Sequence, residues 1–255
     1  MSTHIHPTAL IDAGAEIGSG VTVGAYAVIG SGVIVGDDVE IMAAAQLLPG
    51  VTVGAGSRIY HGAILGGDPQ DMKSDRHASP TTVGEQVIIR EYVTVHRGIT
   101  PKGTIVGQGS MVMAYAHLGH DTYLGQQVIL ANGVQLGGFV RIDDFASVGG
   151  MTPVHQKCSI GKHAFIGGGY RVVQDVPPYI LASGEPLRFG GLNVIGLRRQ
   201  KIGAAPRSAL KEAYRLLYRS QLPLAEAVQA IEQMEQTPEI ETVLRFIASS
   251  GRGLI

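Results

Sequence analysis

Aliphatic residues recur every six positions along the first two thirds of the chain. Sampled from Ile5 in steps of six, 26 positions in three phased runs are all Ile, Val or Leu. A helix has a period near 3.6 residues and a flat strand a period of 2, so neither explains this spacing. A short strand followed by a tight corner, repeated many times, does explain it. The pattern therefore predicts a parallel β-helix of hexapeptide repeats, in which each coil contacts only its neighbours.

Small residues accompany the aliphatic ones. The residue after the aliphatic position is Gly in 14 of the 26 cases, and the fourth residue after it is small, as at Ala9 and Thr122. We attribute the glycines to backbone angles at the corners that other residues resist. The small residues are expected to fit beside the aliphatic side chains in a narrow interior.

Two polar stretches interrupt the repeat. Residues 66–82 have no aliphatic periodicity, and residues 98–104 shift its phase. We expect both to be loops that project from the coil, where binding residues tend to lie. The repeat is predicted to end at QDVPPY, because Pro177 and Pro178 cannot continue a strand ladder. We therefore assign residues 1–190 to the β-helix domain.

The remaining residues, 191–255, have helical periodicity and a basic charge. Apolar residues recur at helical spacing in three segments, and a proline stands near each predicted helix start, where proline is favourable. This part of the chain holds nine Lys and Arg against six Asp and Glu, whereas the whole chain has a net charge of -1. We predict a small, basic C-terminal helical domain.

Composition excludes several classes of function. The net charge of -1 provides no bulk attraction to nucleic acid or to an anionic membrane. The single cysteine, Cys158, cannot form a disulfide within the chain, which fits a reducing compartment. No apolar run approaches the ~20 residues that span a bilayer, and the first residues lack the layout of a signal peptide. We expect a cytoplasmic protein with no stable membrane insertion.

The segment AHLGHD contains the most promising residues for chemistry. Leu118 is an inward position, so His117 and His120 are expected to point outward near one corner of the coil. A neutral imidazole suits proton abstraction from a hydroxyl near pH 7, and either Asp121 or a backbone carbonyl can fix its tautomer. Two alternatives stay open at this point: solvated surface histidines, and a metal site completed by Asp121 and His155. A flat outer face has no cavity, so a working site needs a loop or a neighbouring subunit.

Longer segments resemble one family of hexapeptide acyltransferases. They are QDMK (70–73), IREYVTVHRG (89–98), AHLGHD (116–121), ILAN (129–132), DDFASVGGMTPVHQ (143–156), QDVPPY (174–179) and LKEAYRLLYRS (210–220). Over nearly its full length the chain resembles the acyl-(acyl carrier protein):UDP-N-acetylglucosamine O-acyltransferases, which begin lipid A synthesis. The resemblance implies a left-handed β-helix and a homotrimer with active sites between subunits. It also implies transfer of an (R)-3-hydroxyacyl group from acyl carrier protein to the sugar 3-hydroxyl, with no metal and no cofactor.

The resemblance further implies roles for particular residues. His120, the second histidine of the motif HxxHD, would be the general base with Asp121 beside it, and the Gly138 N–H would donate to the oxyanion. The expected substrate contacts are Asp71 and Lys73 in the loop, His117, His155 and Gln156 near the sugar and acyl end, Gly168 at the limit of the acyl chain, and Asn193 and Arg199 near the nucleotide. Acyl carrier protein is acidic, so a basic surface is expected to dock it. That surface comprises Arg198, Arg199, Lys201, Arg207 and Lys211.

Three positions depart from the family pattern. Phe139 stands where histidine is usual, Ile195 where glutamate is usual, and Tyr115 where asparagine is common. These positions are expected to lie around the sugar–nucleotide pocket and not at the base, so they concern the acceptor more than the reaction. A 3-amino sugar acceptor, giving an amide-linked chain, therefore stays open. So do a coenzyme A-dependent hexapeptide acyltransferase and a non-catalytic scaffold, although the retained base and loop residues argue against the scaffold.

Overall fold

The computed structural model describes residues 2–72 and 79–255, which form a three-sided solenoid of short strands followed by helices. The strands of these residues are β1 (His4–Ile5), β2 (Leu10–Ile11), β3 (Glu16–Ile17), β4 (Thr22–Val23), β5 (Val28–Ile29), β6 (Ile34–Val35), β7 (Glu40–Ile41), β8 (Gln46–Leu47), β9 (Val51–Val53), β10 (Arg58–Ile59), β11 (Ile64–Gly67), β12 (Thr81–Val83), β13 (Ile88–Ile89), β14 (Thr94–His96), β15 (Thr104–Val106), β16 (Met111–Val112), β17 (His117–Leu118), β18 (Tyr123–Leu124), β19 (Ile129–Leu130), β20 (Gln135–Leu136), β21 (Arg141–Ile142), β22 (Ser147–Val148), β23 (Pro153–Val154), β24 (Ser159–Ile160), β25 (Phe165–Ile166), β26 (Ile180–Ser183) and β27 (Arg188–Leu192). The helices are α1 (Val194–Arg199), α2 (Ala204–Arg219), α3 (Leu224–Glu232) and α4 (Pro238–Ser249).

Strands of successive coils stack into three sheets, here called faces A, B and C. Face A has the order β1-β4-β7-β10-β13-β16-β19-β22-β25-β26-β27, face B the order β2-β5-β8-β11-β14-β17-β20-β23, and face C the order β24-β21-β18-β15-β12-β9-β6-β3. The turns between them are called the A–B, B–C and C–A corners, after the faces that they join. Pairing between successive coils is parallel, as between β7 and β10. A residue therefore lies beside its equivalents in the coils before and after it.

The ladder continues past QDVPPY, where the sequence predicted that it ends. Strand β26 pairs in parallel with β25, and β27 then returns antiparallel to β26. Pro177 and Pro178 do not interrupt the ladder because they lie in the corner between Val176 and Ile180. Corner residues do not have to donate to a ladder, so proline is tolerated there.

The inward aliphatic residues form the interior of the solenoid. Val23, Leu118 and Leu136 are at most 2% exposed, and burying a side chain of this kind contributes about 1.5–3 kcal/mol. Ile5 is 49% exposed because the first coil has a neighbour on one side only. The six-residue period thus determines which residues form the core. The inward side chains are less completely buried in the first coil than in the later coils.

The glycines after the aliphatic positions have a different cause from the one inferred from sequence. Of these 14 glycines, which all lie in the described ranges, Gly66 is the one with a positive φ. Instead, the next coil approaches too closely for a side chain. A Cβ on Gly24 would lie 2.6 Å from the backbone nitrogen of Ala43, and a Cβ on Gly54 would lie 2.6 Å from that of Glu85. Glycine is required there by the stacking of coils.

The C-terminal helices pack against the last strands. Helix α2 contacts α3, α4 and β27, and the buried Tyr214 of α2 donates its hydroxyl proton to the carbonyl of Pro178. Helix α1 was not predicted, because its six residues include one buried residue, Leu197, and show no period. The predicted fold class, a hexapeptide β-helix followed by helices, is confirmed. The division at residues 190 and 191 stays a prediction, and β27 spans it.

Asp175 attaches the C-terminal tail to the last coils. Its fully buried carboxylate accepts hydrogen bonds from the Ser159 N–H and the Ser250 hydroxyl, both at 2.7 Å. It also accepts from the N–H groups of Gly251 and Arg252, both at 3.0 Å. Four donors from two distant parts of the chain therefore depend on one side chain.

We expect Asp175→Ala to lower the free energy of unfolding by about 3–5 kcal/mol, because it removes the common acceptor of four half-buried hydrogen bonds. Urea unfolding followed by two spectroscopic probes measures this loss. Asp12→Ala is the matched control, since Asp12 is exposed and accepts one bond from the Gly14 N–H at 2.9 Å. It should change stability by less than about 1 kcal/mol. Equal stability of the two variants would contradict the structural role of Asp175.

Candidate active site

A groove of about 460 Å³ lies along face B and the B–C corner. We call it the histidine groove; it is lined by Gln70, His96, His117, Gly119, His120, Gln135, Leu136, Gly137, Gly138, Pro153, Val154 and Gln156. The sequence predicted a flat face that needs a loop or a second subunit to form a site. A single chain already forms this groove, and Gln70 of the predicted loop contributes to it.

His120 lies in this groove with one ring nitrogen engaged. Its Nδ1 is 2.9 Å from Oδ2 of Asp121, and the two side chains are 13% and 4% exposed. Because the carboxylate accepts the Nδ1 proton, the tautomer with an unprotonated Nε2 is favoured. Asp121 follows directly in a left-handed conformation with φ 56°, which aspartate tolerates better than most residues. The carboxylate thus orients the imidazole, an arrangement suited to a general base.

The second interruption of the repeat packs onto Asp121. The N–H of Ile99 donates to Oδ2 at 2.8 Å, and the N–H of Thr100 donates to Oδ1 at 3.0 Å. The Thr100 hydroxyl also donates to Oδ1. Burial opposes ionisation of Asp121, but these bonds and the one from His120 outweigh it and hold the Asp121 pKa below its usual value. The predicted loop at 98–104 therefore folds back onto the catalytic candidate.

Gly138 lies against the other side of the His120 ring. A Cβ placed on Gly138 would be 2.6 Å from Cε1 of His120 and closer still to Nε2. Among the hydrogen bonds of the described residues, none uses the Gly138 N–H. The unprotonated nitrogen of the base and a backbone donor without a protein acceptor thus lie next to each other. A general base and an oxyanion donor need this proximity.

Two further histidines line the groove beside His120. Nδ1 of His117 is 2.8 Å from the Thr94 hydroxyl, and the rings of His117 and His96 meet edge to face with centroids 4.7 Å apart. Burial, and then the neighbouring His96, lower the pKa of His117 to about 4. Burial, and then His120, lower the pKa of His96. Both rings are therefore neutral near pH 7.

His96 was missed in the sequence, where no role was assigned to it. Its buried Nδ1 has no hydrogen-bond partner among the described residues. The signal was its position after Val95, an inward residue of the repeat. The loop at 98–104 made this position hard to recognise. Val95 pairs with Leu118 across the loop, and the spacing between these two residues is not a multiple of six.

Phe139 lies directly against His120, so the prediction that this position is away from the candidate base is wrong. The rings of Phe139 and His120 meet edge to face with centroids 5.0 Å apart. The ammonium of Lys157 lies 5.9 Å from the centroid of Phe139. Phe139 therefore covers one side of His120 with an apolar ring and supplies no hydrogen-bonding group there.

The remaining predicted residues are spread around the solenoid. Gln156 lines the histidine groove, but His155 next to it is exposed, and its Nδ1 is 3.1 Å from the Gln156 carbonyl. Asp71 follows Gln70 of the groove in sequence, whereas Lys73 lies outside the described residues.

Gly168 lies at a different corner, the A–B corner. It stacks on Gly150, whose carbonyl oxygen would be 3.1 Å from an added Cβ. Asn193 and Arg199 line a third region, a groove of about 650 Å³ along face A and the C–A corner. Asn193 caps α1 by accepting from the Gly196 N–H at 3.1 Å, and it donates to the carbonyl of His163 at 3.0 Å. One chain therefore does not bring these residues to His120.

Residues 2–72 and 79–255 contain neither a candidate metal site nor a membrane-spanning helix. Within these ranges, no three His, Cys, Asp or Glu side chains are grouped so that they could hold a metal ion. His117 and His120 instead have Thr94 and Asp121 as partners. No helix in the same ranges has the length and apolar character of a membrane span.

The three-sided hexapeptide β-helix, with a carboxylate-bound histidine in a groove on its surface, places the chain in the class of hexapeptide-repeat transferases. Residues 2–36, 32–67 and 103–138 match the family described as bacterial transferase hexapeptide. Residues 175–255 match domain 2 of UDP N-acetylglucosamine O-acyltransferase.

Several relatives align with nearly the full length of the chain. The acyl-(acyl-carrier-protein)--UDP-N-acetylglucosamine O-acyltransferase of Burkholderia orbicola is 39% identical over 260 residues, covering 99% of each chain. The solved UDP-N-acetylglucosamine acyltransferase of Bacteroides fragilis is 37% identical with a TM-score of 0.95, covering 98% of this chain and 99% of that one. The enzyme of Francisella novicida is 34% identical with a TM-score of 0.96, covering 98% and 93%. The chain belongs to the acyl-(acyl carrier protein):UDP-N-acetylglucosamine O-acyltransferase family, which confirms the resemblance found in the sequence.

Proposed function

We propose that this enzyme transfers an (R)-3-hydroxyacyl group from acyl carrier protein to the 3-hydroxyl of UDP-N-acetylglucosamine, the first step of lipid A biosynthesis. The observation that carries the proposal is the arrangement of His120. Its Nδ1 is held by Asp121 at 2.9 Å, and its opposite nitrogen lies beside Gly138 in a groove. Membership of the family supports the choice of donor and acceptor.

In the proposed reaction His120 acts as the general base. Its Nε2 takes the proton of the acceptor hydroxyl as the hydroxyl oxygen attacks the thioester carbonyl. The Gly138 N–H stabilises the oxyanion of the tetrahedral intermediate. The intermediate then breaks the carbon–sulfur bond, and the thiol of the carrier leaves with the proton held by His120. Asp121 stabilises the imidazolium between the two proton transfers. The thioester is already activated, so the reaction needs no cofactor.

The proposed substrate contacts are distributed over two grooves and three corners. His117, Gln156 and the loop residue Asp71 would contact the substrate in or near the histidine groove. His155 and Lys73 are proposed as further substrate contacts, although Lys73 lies outside the described residues. Gly168 would limit the acyl chain, and Asn193 and Arg199 would contact the nucleotide. These last three residues lie at other corners than His120. This distribution supports a homotrimer, since a substrate can reach different corners only where subunits meet.

The basic surface predicted from sequence remains the proposed docking site for acyl carrier protein. Arg198, Arg199, Lys201 and Lys211 are exposed, and Arg207 is half-buried. Exposed charges of one sign accelerate association with an oppositely charged partner. A cytoplasmic location is part of the same proposal, because acyl carrier protein and the nucleotide sugar are both soluble substrates.

A transfer assay with two acceptors tests the proposal. Purified enzyme receives (R)-3-hydroxyacyl carrier protein together with UDP-N-acetylglucosamine or its 3-amino analogue, and parallel reactions contain the acyl-coenzyme A donor. We expect ester formation with UDP-N-acetylglucosamine and the carrier protein donor. Transfer to the amino analogue alone would show that the acceptor is a 3-amino sugar. This second candidate is kept because the side chain of Phe139 places no polar group beside the His120 ring. Transfer from coenzyme A alone would replace the donor.

A further inference from the structure

We propose that Thr100 is a positioning residue of this reaction: it holds the Asp121 carboxylate in the orientation in which Asp121 pairs with His120. The inference rests on the proposed role of His120 as the base. Thr100 belongs to the loop at 98–104, which interrupts the six-residue repeat. From the sequence, no site residue was assigned to this loop. It does not line the histidine groove, so it acts through Asp121 and not on substrate.

Four hydrogen-bond donors contact the carboxylate of Asp121. An ionised carboxylate offers about four lone-pair sites. Oδ2 accepts from His120 and from the Ile99 N–H, at 2.9 and 2.8 Å. Oδ1 accepts from the N–H and from the hydroxyl of Thr100. Thr100 therefore donates to the oxygen that His120 does not use, and the four hydrogen bonds together restrict rotation of the carboxylate.

The fold brings the loop close enough for these bonds. Gly98 is buried, and a Cβ on it would lie 2.8 Å from Oδ1 of Asp121. The Thr100 carbonyl accepts the hydroxyl proton of the buried Ser79 at 2.8 Å and the N–H of Gly103 at 3.0 Å. Thr100 is thus held from both sides, with Ser79 fixing its backbone and Asp121 receiving its donors.

Removal of the Thr100 hydroxyl should change the protonation of His120 in a predictable direction. The hydroxyl stabilises the charged form of Asp121, and hydrogen bonding to a charged form favours that form. Without it, the carboxylate is less compensated and attracts the imidazolium of His120 more strongly. The base then holds its proton to a higher pH, and the neutral base is less abundant at any pH below its midpoint.

Other charged and titratable groups face the pair and must be held constant. His96 and His117 lie beside His120 in the groove, and Lys157 lies over Phe139. Arg97 precedes the loop and is paired with Asp68 at 2.6 Å, and Lys102 of the loop is exposed. Substitution of Thr100 alters none of these groups, so a shift in the pH profile reports on the contact with Asp121.

The test compares Thr100→Val, which keeps the shape and removes the hydroxyl, with Thr100→Ser, which restores it. For Thr100→Val we expect the acid limb of the pH profile of kcat/KM to move upward by about 0.5–1 unit, hence a 3- to 10-fold loss on that limb. Thr100→Ser should recover the wild-type limb. Thr22→Val is the matched control: it makes the same substitution at an exposed threonine of β4 that is no hydrogen-bond partner of Asp121, and it should leave the limb in place.

An NMR titration of the His120 ring in histidine-labelled protein, assigned with His120→Gln, gives a second readout that needs no activity. The titration midpoint in Thr100→Val should rise with the limb. An unchanged limb and an unchanged midpoint in folded Thr100→Val overturn the inference. If wild type transfers no acyl group but the midpoint still rises, the proposed function fails while the positioning by Thr100 stands.

Discussion

His120→Ala is expected to lower kcat/KM for acyl transfer about 10²- to 10⁴-fold, the range in which a positioned general base contributes. The loss should be in kcat, because the variant removes the proton acceptor and leaves most of the groove intact. Binding of UDP-N-acetylglucosamine, measured by calorimetry, should change by less than about 10-fold, or 1.4 kcal/mol. A steady-state transfer assay with (R)-3-hydroxyacyl carrier protein measures the rate.

His6→Ala is the control for this variant, since His6 is exposed in the first coil and its Nδ1 is 2.9 Å from the Thr8 hydroxyl. It should keep the wild-type rate. Both variants should elute at the wild-type volume in size-exclusion chromatography, which shows that the assembly is unchanged. A His120→Ala enzyme within 10-fold of the wild-type rate would remove His120 from the role of base.

Gly138→Ala is expected to lower kcat about 100-fold, through a steric effect on the base. The new methyl group would lie 2.6 Å from Cε1 of His120, so the ring must move away from Gly138. A displacement of 1 Å in a catalytic group can reduce the rate by this factor. Gly251→Ala is the control, because a Cβ there meets no atom within 4 Å. The transfer assay measures both variants.

A double variant separates the two proposed roles of Gly138. If the alanine acts by displacing the imidazole, Gly138→Ala should cause little further loss in the His120→Ala background, since residues that act together are not additive. If it acts by disturbing the oxyanion donor, the full loss should persist in that background. A Gly138→Ala enzyme with the wild-type rate would contradict both roles.

The fold was predictable from sequence because the hexapeptide repeat is a local pattern. Each inward residue, such as Leu118 or Leu136, is buried by the same contacts in every coil. The helices α2 to α4 were predictable for a similar reason, since each shows its own period. Elements without a period were missed: α1 is short, and β26 and β27 follow a pair of prolines that occupy a corner.

The β-helix, the family and the candidate pair His120 and Asp121 could be read from the sequence, because repeats and motifs are local patterns of consecutive residues. The surroundings of that pair are visible in the three-dimensional structure alone. It placed Gly138 against the ring, His96 beside His117, and Thr100 on the carboxylate. It also placed Gly168 and Arg199 at other corners than the base. These contacts depend on the register between coils. Two loops of different length shift that register, and the six-residue repeat does not predict the size of either shift.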